Sequence, residues 1–227
     1  MPTRRELTNT NRRESILRVF AARVARDGYS DTSIADIASD LGVSKGTIVH
    51  HFGTKLRLLE SVQVTYMQRR LAEAHHVISV LSSPSGQLAG IIYALLKCHR
   101  DDRDATLTFT RELVRYAGED QLGVVRTQRA IYTSLVRQII DRGVESGEFH
   151  TDDPHIVTLQ LFGMCNWAWA WYSPTGEASL EQIAGTYLGV VLGGLQTERV
   201  EDLDALLKEA IAAVQAAPLS VEEELVV

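Results

Sequence analysis

Proline and cysteine are scarce in this 227-residue chain, and both scarcities narrow the fold. Only five prolines are present, and long stretches without glycine or proline favour helices over sheets. The two cysteines, Cys98 and Cys165, form no CxxC pair and lie in segments with helical apolar spacing. Because no secretory signal pattern precedes them, we expect reduced core thiols in a cytoplasmic protein.

Membrane and catalytic signatures are missing as well. No apolar run reaches the roughly 18 residues that a membrane helix needs. The sequence contains no G-x-S-x-G, Walker A or H-E-x-x-H motif. His75 and His76 are adjacent and point to different faces of a helix, so they cannot share a metal at i, i+4 spacing. We therefore predict no enzymatic activity, no metal and no cofactor.

The acidic charge is distributed unevenly. The formal net charge is −6, yet residues 1–70 hold 12 basic and 7 acidic side chains. That part carries +5, and the remainder carries −11. A basic end on an acidic body is typical of a protein whose one end contacts nucleic acid, although a solvated charge pattern without function gives the same asymmetry.

Two helices are predicted in the basic end. The first eleven residues are polar and we expect them to be mobile, with an amphipathic helix over residues 11–27 that Gly28 stops. Ser33 and Asp36 form an S-x-x-D capping box at the start of the second helix. Gly42 ends that helix, because glycine adopts the left-handed conformation that a sharp turn requires.

The stretch VSKGTIVHHFGTK, residues 43–55, follows this turn. Ser44 caps a short helix, but Thr47 stands where a capping box would have Glu or Gln, so no carboxylate covers the free amides. Gly46 costs about 1 kcal/mol relative to alanine in a helix. The pattern indicates a surface that a phosphate backbone approaches, and helix, glycine turn and short helix predict a helix-turn-helix with a recognition helix over residues 44–51.

The residues of this helix divide between two faces. Val43, Ile48 and Phe52 are predicted to pack inward, on Ile16, Phe20, Ile34 and Ile37. The outward residues are expected to face base edges or adjacent phosphates, and the residues at the flanks are expected to hold phosphates. The outward set is Lys45, Thr47 and His50, and the flanking set is Ser33, Ser44, His51 and Lys55.

The run SIADIASDLGVSKGTIVHHFGTKLRLL, residues 33–59, resembles the N-terminal signature of the TetR family of transcriptional regulators. It keeps Ile37 and Ala38, the Gly42-Val43-Ser44 turn, Gly46, His51-Phe52 and Lys55 of that signature. The resemblance implies an all-α protein that binds operator DNA as a homodimer. Val49 departs from the pattern, since relatives commonly have a tyrosine there that contacts DNA.

The rest of the chain is predicted to be helical, and the resemblance implies a ligand-binding and dimerisation body. The expected domains are a DNA-binding domain (1–55), the body (56–218) and an acidic, disordered tail (219–227). The predicted body helices cover residues 54–81, 86–100, 104–117, 122–146, 153–172, 179–197 and 201–216.

An aromatic segment, residues 161–177, stands out in the body. Its tryptophans Trp167, Trp169 and Trp171 fit either core packing or a division between a dimer seam and a ligand chamber. Small residues in the last two long helices, such as Gly163, Gly185 and Gly189, predict close approach to a second copy. The segment is also similar to the acyl-CoA-responsive branch of the family, which implies a large, mostly apolar ligand with an anionic end.

A mainly apolar chamber is predicted among the helices over 86–100, 104–117, 122–146 and 153–172. The residues predicted to line it are Leu95, Phe109, Leu113, Tyr132, Phe162 and Asn166. Large apolar residues at helical spacing are more often plain core than ligand contacts, so plain core is the leading alternative for each of them. An anionic headgroup would require a basic partner, for which Arg111, Arg115 and Arg129 are the candidates. The segment 153–172 contains no Lys or Arg, which keeps a neutral lipophile open.

The leading hypothesis is a homodimeric repressor that binds a palindromic operator and leaves it when a small lipophilic or acyl-CoA-type ligand binds. Two alternatives remain at this stage. One is a ligand-blind architectural DNA-binding protein, and the other is an enzyme with a vestigial DNA-binding head.

Overall fold

The structure, a computed structural model, is all-α, as the sequence predicts. It describes residues 4–115, 123–195 and 203–217, with side chains over 11–112, 123–195 and 204–217. The described part contains ten α-helices: α1 (Arg4–Asp27), α2 (Ile34–Asp40), α3 (Lys45–Phe52), α4 (Lys55–Val80), α5 (Pro84–Asp101), α6 (Arg103–Arg115), α7 (Gly123–Glu145), α8 (Pro154–Asn166), α9 (Leu180–Leu195) and α10 (Leu203–Gln215). None of these described helices is long and apolar enough to cross a membrane.

Two expectations about helix bounds are wrong. α1 begins at Arg4 rather than at residue 11, because the polar residues before residue 11 include no proline or glycine that would stop a helix after Pro2. The segment predicted as one helix over 153–172 instead ends as an α-helix at Asn166 and continues as a 3₁₀ turn, Trp167–Ala170. The predicted acidic tail lies outside the described residues.

The chain separates into two compact units. Unit 1 contains Met1–Met67 and Arg103–Thr127, and unit 2 contains Gln68–Asp102 and Gln128–Val227. The predicted boundary between residues 55 and 56 is not a boundary of these units, and the division into functional domains stays a prediction.

The core of unit 1 joins α1, α2 and α3, and α6 packs on α1. Ile16, Phe20, Ile37, Ile48 and Phe52 are all at most 5% exposed, as the helical spacing predicts. Polar groups on α6 add hydrogen bonds to this packing, since the Thr108 hydroxyl and an Arg111 N–H donate to carbonyl oxygens of α1. α6 is therefore held on α1 by hydrogen bonds as well as by packing.

The core of unit 2 is built around α5, which packs on α8, α9 and α10. All of its residues from Ser85 to His99 are buried. Gly90 allows a close approach there, because an added Cβ would lie 2.6 Å from a methyl carbon of Val77 on α4. Cys98 and Cys165 are both buried and free, so the prediction of reduced core thiols is confirmed.

Candidate nucleic-acid interface and effector site

The recognition helix α3 begins as predicted. Gly42 has a φ of 61°, in the left-handed region, and Ser44 caps the helix. The Ser44 Oγ accepts from the Thr47 amide at 3.1 Å and lies 2.9 Å from the Thr47 hydroxyl. Because the first turn contains no acidic residue, its positive end is not neutralised within the helix.

The outward residues of α3 are accessible. Lys45 and His50 are exposed and Thr47 is partly exposed, while Ile48 is fully buried on the opposite face. Val49 is 41% exposed and offers only methyl groups to a partner. The structure thus brings Ser44, Lys45, Thr47 and His50 together on one helix.

Ser33 already has partners within the protein. Its hydroxyl donates to Asp36 Oδ2 at 2.6 Å and accepts from the Asp36 amide at 3.1 Å, and its own amide donates to the same carboxylate. These contacts form the predicted capping box. The hydrogen bonds from Ser33 lower the pKa of Asp36. The observed role of Ser33 is to cap α2, and its phosphate contact stays a prediction.

Lys55 also makes contacts that the sequence did not predict. Its Nζ donates to the carbonyl oxygens of Tyr29, Thr32 and Ser30 at 2.6, 2.7 and 3.3 Å, and it lies 4.2 Å from the centre of the Tyr29 ring. Burial lowers the pKa of Lys55, and the carboxylates of Asp31 and Glu112 oppose this shift. Lys55 thus ties the start of α4 to the turn between α1 and α2.

His51 lies at the other end of α3, near basic residues of α1. Its backbone carbonyl accepts from Arg13 at 3.3 Å, and the Arg13 guanidinium lies 4.5 Å from the centre of the Phe52 ring. Burial lowers the pKa of His51, and the charges of His50, Arg12 and Arg13 act in the same direction. Arg12 and Arg13 therefore belong to the basic surface beside α3, although the sequence analysis did not select them.

One predicted effector residue of unit 1, Phe109, forms an aromatic contact. Phe109 on α6 is 7% exposed and stacks on Tyr66 of α4, with ring centroids 4.6 Å apart. Tyr66 was not predicted, although it follows Leu59 by two helical turns on the buried stripe. Leu113 lies on α6, outside the residues whose side chains are described.

A second aromatic contact lies in unit 2. Tyr132 on α7 and Phe162 on α8 have ring centroids 5.8 Å apart. Burial raises the pKa of Tyr132, so its hydroxyl stays protonated across the physiological range. Leu95 is buried on α5 and Asn166 is partly exposed at the end of α8. Whether these residues touch a ligand or form plain core stays a prediction.

The three candidate basic partners differ in availability. An N–H of Arg111 donates to the carbonyl of Ala25 at 3.0 Å, which holds the guanidinium on α1. Arg129 is partly buried, and burial lowers its pKa, whereas the side chain of Arg115 lies outside the described residues.

A further buried arginine, Arg70, was not predicted. It is 6% exposed and pairs with the equally buried Glu73 at 3.0 Å. Its i, i+3 spacing on α4 was the available signal.

One apolar face of unit 2 is exposed. Ile156 and Leu159 on α8 and Val190 on α9 are 46%, 47% and 65% exposed. Trp167, Trp169 and Trp171 are 61%, 37% and 47% exposed, so the interpretation of these tryptophans as core is wrong. A Cβ at Gly163 or Gly189 would have no neighbour within 4 Å among the described residues.

Both halves of the chain match family models. Residues 16–62 match the model for bacterial regulatory proteins of the tetR family, and residues 81–195 match the tetracyclin repressor-like C-terminal domain. The HTH-type transcriptional repressor KstR2 of Mycolicibacterium smegmatis is 26% identical over 186 residues, which cover 82% of this chain and 91% of that protein.

Two solved structures have the same fold. The ketosteroid transcriptional regulator KstR2 of Mycobacterium tuberculosis has a TM-score of 0.76 at 23% identity, covering 82% of this chain and 96% of that one. AibR, in complex with isovaleryl coenzyme A and operator DNA, has a TM-score of 0.72 at 23% identity, covering 81% and 99%.

The chain belongs to the TetR family. It is a DNA-binding transcriptional regulator with a helix-turn-helix domain and a helical C-terminal domain, as the sequence predicts. The family is non-enzymatic, which removes the alternative of an enzyme with a vestigial head. TetR regulators bind operator DNA and small-molecule effectors, and the particular effector of this chain is a separate question.

Proposed function

We propose that this protein is a homodimeric repressor that binds a palindromic operator and is released by a small, mainly apolar effector. Gly46 is the residue that best supports the DNA-binding part of this proposal. A Cβ there would meet only the Ser44 hydroxyl, at 3.6 Å, so packing within the described chain does not require a glycine. Because glycine weakens a helix, its presence on the exposed first turn of α3 favours close approach of a partner.

The contacts proposed for that partner follow the faces of α3. Lys45, Thr47 and His50 face base edges in the major groove or the phosphates beside them. Ser44, with the free amides at its helix start, and His51 hold phosphates on either side. Ser33 and Lys55 are included in the phosphate set from the sequence, although each is already hydrogen-bonded within unit 1.

The proposed dimer uses the exposed apolar face of α8 and α9. Ile156, Leu159 and Gly163 recur on α8 at three- and four-residue spacing, so they form one stripe, and Trp167 follows at the start of the 3₁₀ turn. Gly189 and Val190 continue an exposed small and apolar surface on α9. Four helices, two from each copy, would cover this surface, and a two-fold axis would place two recognition helices on half-sites about 34–36 Å apart or a multiple of that distance.

The proposed effector is lipophilic. The aromatic contacts between Tyr66 and Phe109 and between Tyr132 and Phe162 supply apolar surface. An acyl-CoA-type effector is supported by the likeness to AibR, whose structure contains isovaleryl coenzyme A. A neutral lipophile is supported by α8, which contains no Lys or Arg, and by the ketosteroid regulator among the relatives.

Release would follow from a shift between two states. One state contacts both half-sites of the operator, and the other state cannot. An effector that binds the second state more tightly lowers the occupancy of the operator, and the ratio of its affinities for the two states limits how far the occupancy falls. Helix α4 is the proposed lever, because it begins at Lys55, beside the helix-turn-helix, and carries Tyr66 eleven residues later.

The test is an electrophoretic mobility shift with the DNA that flanks the gene of this protein. Long-chain acyl-CoAs, free fatty acids and sterols are titrated separately, with tryptophan fluorescence recorded on the same samples. We expect one class to quench the tryptophans and release the DNA over the same concentration range. Quenching without release would show that binding is not coupled to the operator. DNA binding that no compound class changes would instead favour the ligand-blind architectural alternative.

A further inference from the structure

Helix α4 buries a glutamine on its apolar face in unit 1. Gln63 is 0% exposed, and its neighbours on the same stripe, Leu59, Tyr66 and Met67, are at most 4% exposed. Neither Oε1 nor Nε2 of Gln63 has a hydrogen-bond partner among the described residues. Because both ends of the carboxamide lack a partner, exchanging the oxygen and the nitrogen would not satisfy it.

Packing alone does not account for this residue. Burying an amide without hydrogen bonds costs free energy that a leucine or methionine of similar size would avoid. A buried polar group without a partner therefore indicates a strained or functional position, or a molecule that completes its hydrogen bonds.

The surroundings of Gln63 are those expected of an effector site. Tyr66 follows Gln63 by three residues, so both side chains lie on one face of α4. Tyr66 stacks on Phe109, which the sequence already predicts as a lining residue. A buried carboxamide on the same helix face as one member of a stacked aromatic pair has the composition of a ligand pocket, in which mostly apolar walls carry a few polar groups that fix the orientation.

We propose that Gln63 is the polar anchor of the effector, and that the effector carries a neutral group that both donates and accepts hydrogen bonds. This inference rests on the proposed effector function. A carboxamide presents one acceptor and two N–H donors, so an amide or hydroxyl on the effector satisfies both of its ends. An ester or ketone satisfies only the donors, and a carboxylate would in addition bury a charge beside an uncharged partner.

Two kinds of lipophile carry such a group. An acyl thioester of pantetheine has amides next to its acyl chain, and a sterol has a hydroxyl at one end of an apolar body. Both present to Gln63 a neutral group that donates and accepts hydrogen bonds. Simple probes therefore test the anchor first. Dodecanoyl-pantetheine and cholesterol then distinguish an acyl thioester from a sterol.

The experiment compares dodecanamide, dodecan-1-ol and methyl dodecanoate on the purified full-length protein. Binding is measured by calorimetry, and release of operator DNA is measured in parallel. For the wild type we expect the amide and the alcohol to bind about ten-fold more tightly than the ester, which corresponds to one additional hydrogen bond. Gln63→Leu is expected to bind all three about equally.

Matched variants separate the anchor from general damage. Gln68→Leu changes an exposed glutamine on the same helix and should keep the ten-fold preference. Gln63→Met offers a second apolar side chain of similar size if Gln63→Leu does not fold. The wild-type comparison needs no variant, so equal affinity for the amide and the ester would refute the anchor even if neither variant folds.

Three outcomes would contradict the proposed role of Gln63, and each has a different meaning. Equal wild-type affinity for the amide and the ester, with DNA release intact, refutes the anchor and leaves the effector function standing. A ten-fold preference that persists in Gln63→Leu assigns the recognition to another residue. If no probe, acyl-CoA or sterol binds the wild type, the anchor and the proposed effector function fail together.

Discussion

The buried hydroxyl of Thr108 on α6 donates a hydrogen bond to the carbonyl oxygen of Ala21 on α1, at 3.1 Å. The next residue along α6 is Phe109, which stacks on Tyr66. Glu112, one turn later, accepts from the amide of Tyr29 at 3.4 Å. α6 therefore contacts α1 and the turn after it through polar groups, and it carries a predicted effector residue between those groups.

Thr108→Val should weaken this connection without changing side-chain shape. We expect a loss of about 1 kcal/mol in the free energy of unfolding, because the hydroxyl's hydrogen bond is lost. Operator release should also require more effector, since α1 would follow α6 less closely. Urea unfolding and the mobility shift measure the two effects.

The matched control is Thr110→Val. The Thr110 hydroxyl donates to Thr106 on its own helix, at 2.8 Å, so its loss should leave effector release unchanged. Equal effects of the two substitutions would show that the α1 contact has no special role in release.

Lys45 and Thr47 should affect DNA binding in different ways. Lys45→Ala should weaken binding to all sequences and lower the dependence of log K on log salt by about one per subunit, because one phosphate contact is lost. Thr47→Ala should instead change the preferred base at one position of each half-site, by about 1–3 kcal/mol. Competition assays over a salt series and a set of operator variants distinguish the two. Unchanged salt dependence in Lys45→Ala would contradict the proposed contact surface.

Lys55→Met should lower the stability of the folded protein, and this effect should be larger than any effect on a phosphate contact. The carbonyls of Tyr29 and Thr32 lose a charged donor, and we expect the free energy of unfolding to fall by about 2 kcal/mol. Calorimetry measures the stability, and a salt series measures the DNA contact. A normal melting temperature with a reduced salt dependence would assign Lys55 to the phosphates, as the sequence predicts, rather than to the turn.

His51 should couple DNA binding to pH. Its pKa is lowered in the free protein, so the unfolded chain binds the proton more readily. Above the ordinary His pKa of about 6.5, His51 is neutral in both states and does not reduce the free energy of unfolding. As the pH drops from there towards the lowered pKa, the free energy of unfolding falls. An adjacent phosphate favours the charged form, so DNA binding should take up a proton and strengthen over the same range.

The check is operator affinity between pH 7.5 and 5.5 for the wild type and His51→Gln. The wild type should gain more affinity on acidification than the variant, because only the wild type carries an imidazole at residue 51. Parallel pH profiles would show that His51 does not contact a phosphate.

Features that depend on neighbouring residues, such as helix caps and turns, were predicted better from the sequence than contacts between distant segments. Ser33 with Asp36, Gly42 and Ser44 act through hydrogen bonds and dihedral angles within a few residues, and all three appear as predicted. The start of α1 was missed because a polar run without proline or glycine gives no signal that separates a solvated helix from a coil.

Contacts between distant elements were beyond the reach of sequence patterns. Lys55 donates to Thr32, 23 residues away, and helical spacing gives no information about such a contact. Gln63 was overlooked because periodicity places it on the buried stripe without revealing whether its amide has a partner. The sequence left the tryptophans open between a core and an interface, because large apolar residues mark the two equally well.

Gly189→Leu should separate the proposed dimer without unfolding the subunit. A Cβ at this position would have no described neighbour within 4 Å, so we expect the melting temperature of the isolated subunit to change little. In a dimer that uses α8 and α9, the leucine would force two closely packed helices apart. Sedimentation should then show a dissociation constant raised at least about ten-fold, and operator affinity should fall because one subunit contacts only one half-site. Ala130→Leu places the same leucine side chain at an exposed position of α7 and should leave the dimer intact. If Gly189→Leu sediments as a full-strength dimer while Ala130→Leu dissociates, the two copies meet through α7 instead of α9.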